Sequence, residues 1–458
     1  MLALLKTMIL DFQAQTQDLG VPRHVAHYAL KGKANVYMGV RRSGKSTFLY
    51  QIQQKLISQG LDPTNILSLN FFDERLASLT AQSLGLILEA YFSIYPEKKN
   101  TSEVVCFFDE IQEVPGFEPF IERILRQENC QVYLTGSSAK LLSTEIATQM
   151  RGRALSFEIF PFSLQEYLDS QNIAFKVNLT TKERLAIQKA FEQYLLVGGF
   201  PETLSLPDNL RVKIHQEYWQ TILFRDIVER HNVKQPRELL DLARWCINNI
   251  ASLYSINNLT GYLKSLGYKT SKATVAEYLT WFEDAYIFFS VYIFDASVNR
   301  MNVNPKKIYA IDHSFVRSIS NGILINTGHL LENFVFICLR RHEEINSKIY
   351  YYRTKQGEEI DFIVKINTKT NIKIDTKIIL FQVCLTLVND KTKKRELKAL
   401  VHALQECNVD YGFIITLNEE EIITIEDKDI VVISAWRFAL LINHDLAWFT
   451  EKNYQGLI

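Results

Sequence analysis

A short glycine-containing run constrains the fold of this 458-residue chain more than any other feature. The run Gly39–Ser46 reads GVRRSGKS and fits the pattern GxxxxGK[ST] without a mismatch. A strand-like apolar run precedes it, and a helical run, Thr47–Leu56, follows it. Glycines at these places let backbone N–H groups turn toward a phosphate, and the start of a helix adds a positive potential. The sequence therefore predicts a phosphate-binding loop between a strand and a helix.

The side chains of this loop have distinct expected roles toward a nucleotide. Lys45 is expected to reach the β- and γ-phosphates of ATP, and Ser46 is expected to ligate Mg²⁺. The residues expected to contact the nucleotide are Gly39, Arg41, Arg42, Ser43, Gly44, Lys45, Ser46 and Thr47.

A second apolar run, Val104–Phe108, ends in two acids, Asp109 and Glu110. Buried parallel strands are apolar along their length, and their carboxyl ends face the ligand crevice of an α/β sheet. Asp109 is then placed to hold the metal, directly or through water. Glu110 is placed to polarise the attacking water as a general base.

Polar residues after the next strand are further candidates for the same site. Thr135 and Ser137 follow the apolar residues 132–134 and are candidates to contact the γ-phosphate or the water, although a simple Gly-Ser turn explains them equally well. Arg151 and Arg153 are candidates to stabilise transition-state charge, on their own chain or on a neighbouring copy. Two solvated arginines are the alternative.

The hydrophobic pattern changes twice along the chain and predicts an α/β protein with three domains. Residues 1–165 alternate strand-like and helical runs, as in a parallel sheet with helices on both faces. Residues 166–295 are mostly helical, and their last part has the helix–turn–helix and apolar hairpin-like run of a winged helix. Residues 296–458 return to strands and predict a second α/β unit.

Composition argues against several classes of protein. Lys and Arg together number 51, as do Asp and Glu, so no overall basic field points to nucleic acid. The six cysteines form no CxxC pair, which favours a reducing, cytoplasmic compartment over a disulfide framework or a zinc site. The longest apolar stretch, residues 285–294, falls short of the about 20 residues of a membrane span.

Several runs together resemble one family of prokaryotic proteins. GVRRSGKST, FFDEIQEVPGFE, LTGSSAKLLS and MRGRALSFEIFPFSLQEY are similar to AAA-type ATPases with a C-terminal domain of unknown function 4143. GGFPE at 198–202, GHLLENFV at 328–335 and EIDFIV at 359–364 extend the resemblance over nearly the whole chain. It implies an AAA-like ATPase core, a winged-helix-like middle and a restriction-endonuclease-like end. It also supports the nucleotide and metal roles above, with Arg151 or Arg153 as the charge-stabilising arginine.

The resemblance of residues 296–458 to PD-(D/E)xK nucleases implies a carboxylate site. That chemistry needs an acid on a helix, an acid on a strand, and (E/Q)xK on the next strand. Glu332, Asp361 and Gln382 fill the first three places, but Cys384 stands in the lysine place. Lys377 is a candidate substitute. We therefore expect a degenerate nuclease-like site that does not cut DNA.

The leading hypothesis is an ATP-hydrolysing switch or motor that couples nucleotide state to a C-terminal module for a protein partner or DNA. Lys272 and the basic stretch 391–398 are candidates for DNA contact, against a packing role for the former and a solvated helix face for the latter. Two alternatives are a DNA-processing enzyme with an active nuclease and an ATP-binding scaffold with little turnover. Cys384 argues against the first and Glu110 against the second. An oligomer is compatible with all three.

Overall fold

The computed structural model describes residues 1–137, 150, 152–320, 326–342, 348–369, 374–444 and 446–450. The chain divides into two compact units. Unit 1 comprises Met1–Pro161 with Asp284–Tyr286, and unit 2 comprises Phe162–Glu283 with Ile287–Ile458.

Unit 1 is built on five parallel strands in the order β2–β3–β4–β1–β5. The predicted parallel α/β sheet is thereby confirmed, and the apolar runs 104–108 and 132–134 lie on two of its strands. The strands β1 and β3 are buried along their whole length, as their continuous apolar sequence requires. The strands are β1 (Ala34–Met38), β2 (Ile66–Asn70), β3 (Val104–Asp109), β4 (Cys130–Gly136) and β5 (Ala154–Glu158).

Aromatic side chains hold the sheet of unit 1 against the helix that follows the phosphate loop. The rings of Phe107 and Tyr133 stack with centroids 4.8 Å apart, and Tyr37 meets Phe48 edge to face at 5.0 Å. This packing joins β1, β3 and β4 to α2 and so fixes where α2 begins. The helices of unit 1 are α1 (Leu2–Ala14), α2 (Lys45–Ser58), α3 (Gly85–Ile94) and α4 (Glu118–Gln127).

Unit 2 contains one mixed nine-stranded sheet in the order β13–β14–β12–β11–β10–β9–β7–β8–β6. The strand β7 joins the two parts of this sheet, because Tyr292 pairs with Tyr350 and Ile293 with Tyr351. The expected domain boundary at residue 295 therefore falls within a continuous sheet. The strands are β6 (Leu253–Tyr254), β7 (Phe288–Ile293), β8 (Lys306–Ala310), β9 (Ile349–Arg353), β10 (Glu359–Lys369), β11 (Ile374–Val383), β12 (Tyr411–Thr416), β13 (Glu421–Ile425) and β14 (Lys428–Ser434).

Helices surround this sheet, and a π-helical segment, Ile222–Glu229, continues α7. The helix α14 covers the sheet through Leu400 and Leu404, which lie in a core with Leu380 and Ile414. The helices are α5 (Leu164–Ser170), α6 (Thr181–Val197), α7 (Asp208–Thr221), α8 (Pro236–Asn248), α9 (Ile256–Ser265), α10 (Lys272–Asp284), α11 (Val298–Val303), α12 (His313–Ile319), α13 (Thr327–Arg341), α14 (Asp390–Cys407), α15 (Ala435–His444) and α16 (Leu446–Thr450).

The expected hairpin-like run at 285–294 was interpreted wrongly. It contributes the single strand β7, and its antiparallel partner is β8, which begins after α11. The strand β8 also pairs antiparallel with β6. The pairing partner could not be recognised locally because α11 separates the two strands in sequence.

The glycine pair of the GGFPE run packs against the beginning of unit 2. A Cβ on Gly199 would lie 2.3 Å from the carbonyl oxygen of Phe162. The N–H of Gly199 donates to Asp312 at 2.9 Å, and the N–H of Phe162 donates to the carbonyl of Gly199. Gly198 has a φ of +77°, and a Cβ there would lie 2.2 Å from the hydroxyl of Ser314. The approach of Phe162 to Gly199 and of Ser314 to Gly198 leaves no room for a side chain at either position.

We expect Gly199→Ala to destabilise unit 2, because the new methyl group must displace the Phe162 backbone. Overpacking of this kind costs about 1–3 kcal/mol. Gly261→Ala is the matched control, since Gly261 lies within α9 and a Cβ there would meet nothing within 4 Å. That change should stabilise the protein by up to about 1 kcal/mol. Urea unfolding of both variants measures the difference, and a Gly199→Ala protein as stable as the parent would contradict the close packing.

Candidate functional site

The phosphate loop connects β1 to α2 at the carboxyl end of the parallel sheet. Gly44 has a φ of +92° directly before α2 begins at Lys45, so this glycine is required by the backbone. A Cβ on Gly39 would lie 2.0 Å from the carbonyl oxygen of Ile159, so the chain after β5 passes directly against the first glycine. Both ends of the loop are thus fixed by close backbone geometry.

Lys45 is buried and turned toward the loop itself. Its ammonium group donates to the carbonyl oxygens of Gly39 at 3.1 Å and Val40 at 3.2 Å. It also lies 3.7 Å from a carboxylate oxygen of Glu110. The lysine therefore stands between the loop and the second predicted carboxylate.

A hydrogen-bond network joins the loop to the ends of β3 and β4. The hydroxyl of Ser46 donates to Asp109 Oδ2 at 2.6 Å, and the hydroxyl of Thr135 donates to Asp109 Oδ1. The backbone N–H of Glu110 donates to the same Thr135 oxygen at 2.9 Å. The structure thus brings together five predicted site residues: Lys45, Ser46, Asp109, Glu110 and Thr135.

The backbone at Glu110 has an unusual conformation. Its φ is +55°, in the left-handed region that non-glycine residues seldom adopt. Such conformations cluster at functional sites, where the surrounding structure holds them in place. The side-chain amide of Gln112 donates to Glu110 Oε2 and thereby orients the carboxylate.

The electrostatics of this site fit a bound cation and phosphate. The pKa of Asp109 is raised above its ordinary value, mainly by burial and next by the negative charge of Glu110. The hydrogen bonds from Ser46 and Thr135 act in the opposite direction and only partly offset this rise. A hard divalent cation such as Mg²⁺ prefers oxygen ligands of the kind that Asp109 and Ser46 supply. Within the described residues, the buried hydroxyls of Ser43 and Ser137 have no hydrogen-bond partner. Both adjoin the site in sequence and are suited to a ligand's oxygen atoms.

The remaining predicted loop residues differ in exposure. Arg42 is exposed, and Thr47 is half-buried on the first turn of α2. The guanidinium of Arg41 lies 5.5 Å from the ring centre of Phe72. Their roles toward a nucleotide stay predictions.

Of the two predicted arginines, the structure describes Arg153 and does not bring it to the phosphate loop. Arg153 directly precedes β5, and Ala154 pairs with Ala34 at the amino end of β1. The loop follows the opposite end of β1, roughly 16 Å away at about 3.3 Å per residue. Arg153 is therefore too far from the loop to contact a γ-phosphate bound to the same chain. A contact with a nucleotide on a neighbouring copy stays a prediction. Arg151 lies outside the described residues.

The nuclease-like residues of unit 2 meet around an unexpected lysine. Lys307 on β8 donates to Glu332 on α13 and to Asp361 on β10, both at 2.8 Å. The register between β9 and β10 shifts between Ile360 and Ile363, which places Asp361 at a bulge. Bulges re-aim side chains in this way next to functional sites. Burial, and then Asp361, raises the pKa of Glu332 to about 7.

The other two predicted positions of this site, Gln382 and Cys384, contribute no charged side chain. Gln382 accepts from the backbone N–H of Asp361 at 3.2 Å and donates to Glu396 at 2.8 Å. Burial raises the pKa of the Cys384 thiol to about 12, so it carries no charge at neutral pH. Lys377 donates to the carbonyl of Thr450 at 2.9 Å, so its assignment as the substitute lysine is wrong.

Comparisons with known proteins agree with this architecture. Family models match an AAA domain at residues 31–168 and domains of unknown function 8612 and 4143 at residues 188–323 and 327–438. An uncharacterized protein of Methanocaldococcus jannaschii is 35% identical over 92% of this chain and 91% of its own length. The chain belongs to the family of AAA-domain proteins with a C-terminal DUF4143 domain.

Two further similarities accompany this assignment to the AAA–DUF4143 family. An uncharacterized protein of Haemophilus influenzae is 30% identical over 72% of this chain and 79% of its own length. Among solved structures, the Walker-type ATPase of Pyrococcus abyssi is 16% identical, with a TM-score of 0.42 over 62% of this chain and 90% of that protein.

Three residues of this AAA–DUF4143 protein were missed by sequence reasoning. Arg23 donates to the carbonyl oxygens of Ser43 at 2.5 Å and Phe160 at 2.7 Å, and so fastens the loop to the chain after β5. Gln112 and Lys307 orient carboxylates, as described above. Arg23 and Lys307 lie far in sequence from their partners, while the nearness of Gln112 to Glu110 was the one available signal.

The described residues of this AAA–DUF4143 chain contain neither a helix of membrane-spanning length and character nor a ready-made cluster of metal ligands. Across the described ranges, no helix combines the length and the apolar character needed to cross a bilayer. In the same ranges, no set of three or more His, Cys, Asp or Glu side chains is arranged to hold a metal ion by itself.

We expect Thr135→Val to impair ATP turnover more than it impairs folding. The valine keeps the shape but removes the hydroxyl that bonds Asp109 and Glu110. Hydrogen bonds to charged groups contribute about 1.5–3 kcal/mol, which corresponds to a loss of roughly 10- to 100-fold if fully expressed in turnover. Thr135→Ser retains the hydroxyl and serves as the control. Steady-state ATP hydrolysis measures both, and equal turnover in the two variants would contradict the role of the hydroxyl.

Proposed function

We propose that this protein binds ATP with Mg²⁺, hydrolyses it, and couples the nucleotide state to a partner- or DNA-binding module in unit 2. The observation that carries the proposal is the convergence of Lys45, Ser46, Asp109 and Glu110 at one end of a parallel sheet. Crevices at the carboxyl ends of such strands are where α/β folds bind ligands.

ATP binding would use the loop backbone and the Lys45 ammonium. To reach the β- and γ-phosphates, Lys45 has to exchange the carbonyls of Gly39 and Val40 for phosphate oxygens. Ser46 and Asp109 would hold Mg²⁺, which supplies positive charge to the phosphates when bound. The positive end of α2 adds to the same attraction.

Hydrolysis would use Glu110 as the general base. Its carboxylate accepts a proton from water as the water oxygen attacks the γ-phosphorus, and the bond from that phosphorus to the bridging oxygen breaks. Gln112 orients this carboxylate, and Thr135 fixes the backbone that carries it. A scaffold that only binds ATP would not need this arrangement, which is why we favour turnover.

The DNA-binding candidate within unit 2 is the segment from α8 to β8. Its order is a helix, a strand, two helices, a strand, the short helix α11 and a last strand. Apart from α11, this is the order of a winged helix. Lys269 and Lys272 are exposed at the beginning of α10, the would-be recognition helix. On α14, by contrast, Lys393 pairs with Glu421 and Lys398 with Glu358. These contacts favour α10 over α14 as the place for a DNA backbone.

We expect Glu110→Gln to bind ATP normally but to hydrolyse it about 10²- to 10⁴-fold more slowly, because a general base is lost. Glu113→Gln is the matched control, since Glu113 is an exposed acid on the same short turn. Calorimetry with Mg-ATP measures binding, and phosphate release measures turnover.

Lys45→Ala tests ATP binding in the same assays, and we expect this variant to lose it. Lys55→Ala, an exposed lysine later on α2, should retain it. Unchanged turnover in Glu110→Gln would mean that another group orients the water. ATP binding that survives Lys45→Ala would refute the assignment of the loop.

We expect duplex DNA to bind weakly and with strong salt dependence through α10, because neutralisation of phosphates dominates such binding. The double variant Lys269→Ala/Lys272→Ala should reduce the affinity and flatten the salt dependence. Lys391→Ala/Lys394→Ala removes two exposed lysines from α14 and serves as the control. Fluorescence anisotropy at two salt concentrations measures both. Equal losses in the two double variants would argue against a specific role of α10.

A further inference from the structure

Three carboxylates of unit 2 converge on one buried ammonium group. Lys307 Nζ lies 2.8 Å from Glu332 Oε1, 2.8 Å from Asp361 Oδ1 and 2.9 Å from Glu359 Oε1. The Lys307 side chain is only 2% exposed. These four residues are called the Lys307 cluster below.

The geometry pairs the ammonium group with three carboxylates. Of its three N–H donors, one donates to Glu332 and one to Asp361, and Glu359 forms an ion pair with it at 2.9 Å. The carboxylates come from different elements, with Glu332 on α13 and both Glu359 and Asp361 on β10. The hydroxyl of Tyr309 also donates to Glu332 at 2.7 Å and so holds its carboxylate in place. Charged hydrogen bonds of this kind are the strong ones.

Glu332 and Asp361 are the two acids that the resemblance to PD-(D/E)xK nucleases implies for the carboxylate site, where such carboxylates hold a divalent metal. A metal ion cannot occupy the space between them while the ammonium remains, because the two cations would repel each other at close range. Removing the ammonium would instead leave like charges buried together without a cation, which is costly.

We propose that the ammonium of Lys307 occupies the place of the divalent cation in the nuclease-like site, and that these acids bind a divalent cation once that ammonium is removed. Unit 2 thereby keeps the carboxylate arrangement without metal-dependent chemistry.

The surroundings favour this role over that of a catalytic lysine. A lysine that activates water for phosphodiester cleavage must face the substrate, yet Lys307, Glu332 and Asp361 are all buried. Gln382 is held by the backbone N–H of Asp361 and by Glu396. With its side chain only 2% exposed, Lys307 is enclosed by its carboxylate partners and is not open to a DNA backbone.

The test uses the full-length, nucleotide-free protein with Mn²⁺ as the probe. In the parent protein, Mn²⁺ should not bind at the Lys307 cluster and should leave the unfolding midpoint of unit 2 unchanged. Lys307→Ala should unfold at a lower temperature without metal, take up one additional Mn²⁺ per chain, and regain several degrees in its midpoint when Mn²⁺ is added. Paramagnetic resonance of free Mn²⁺ counts the bound ions, and calorimetry gives the midpoints.

Two further variants locate the ion and guard against misfolding. Lys307→Ala/Asp361→Asn should lose the additional Mn²⁺ and the recovery of the midpoint. Lys307→Ala/Glu332→Gln has less repulsion, so it should fold more readily and bind Mn²⁺ more weakly than Lys307→Ala. Folding of Lys307→Ala only in the presence of Mn²⁺ would support the proposal.

Other outcomes would overturn the proposal that the Lys307 ammonium takes the place of a cation. Folded Lys307→Ala protein that takes up no additional Mn²⁺, or that remains unfolded with Mn²⁺ present, would show that the acids form no cation site. Metal-dependent DNA cleavage by the parent protein that disappears in both Lys307→Ala and Asp361→Asn would make Lys307 a catalytic residue.

Discussion

The hydrogen bond between Ser46 and Asp109 is the contact on which the nucleotide site depends. It joins a loop that begins after β1 to the end of β3, although β4 lies between these strands in the sheet. Thr135, at the end of β4, donates to the same carboxylate, so the intervening strand is connected to Asp109 as well. Since all three strands are parallel, their carboxyl ends meet at one edge. Two hydroxyls therefore hold the buried Asp109 carboxylate, and one of them also fixes the backbone of Glu110 beside it.

The acids of the two units are stabilised by different partners. In unit 1, the hydroxyls of Ser46 and Thr135 donate to Asp109, while the Gln112 amide and the Lys45 ammonium contact the Glu110 carboxylate. In unit 2, an internal ammonium already supplies the positive charge. Buried charges are costly unless they are paired. The two arrangements are therefore consistent with a binding site in one unit and an internal ion cluster in the other.

The parts of the fold that could be predicted are those with a local signal. The five strands of unit 1 were recognisable because each is a short apolar run bounded by polar residues or glycine. The strands β6, β8 and β13 were missed. Two are short or carry charged residues, such as Lys306 and Lys307 on β8, and β13 lies at the edge of its sheet, where alternation with polar residues weakens the pattern.

By itself, the sequence determined the phosphate loop, the acids after β3 and the parallel α/β character of unit 1, because each depends on residues close together in the chain. Only the tertiary structure decided which distant side chains meet. It turned Arg153 to the opposite end of the sheet, brought Arg23 to the loop, and placed Lys307 between Glu332 and Asp361. Lys307 is separated from these acids by 25 and 54 residues. No local pattern encodes such a contact, because it depends on strand order, a bulge in β10 and the packing of α13.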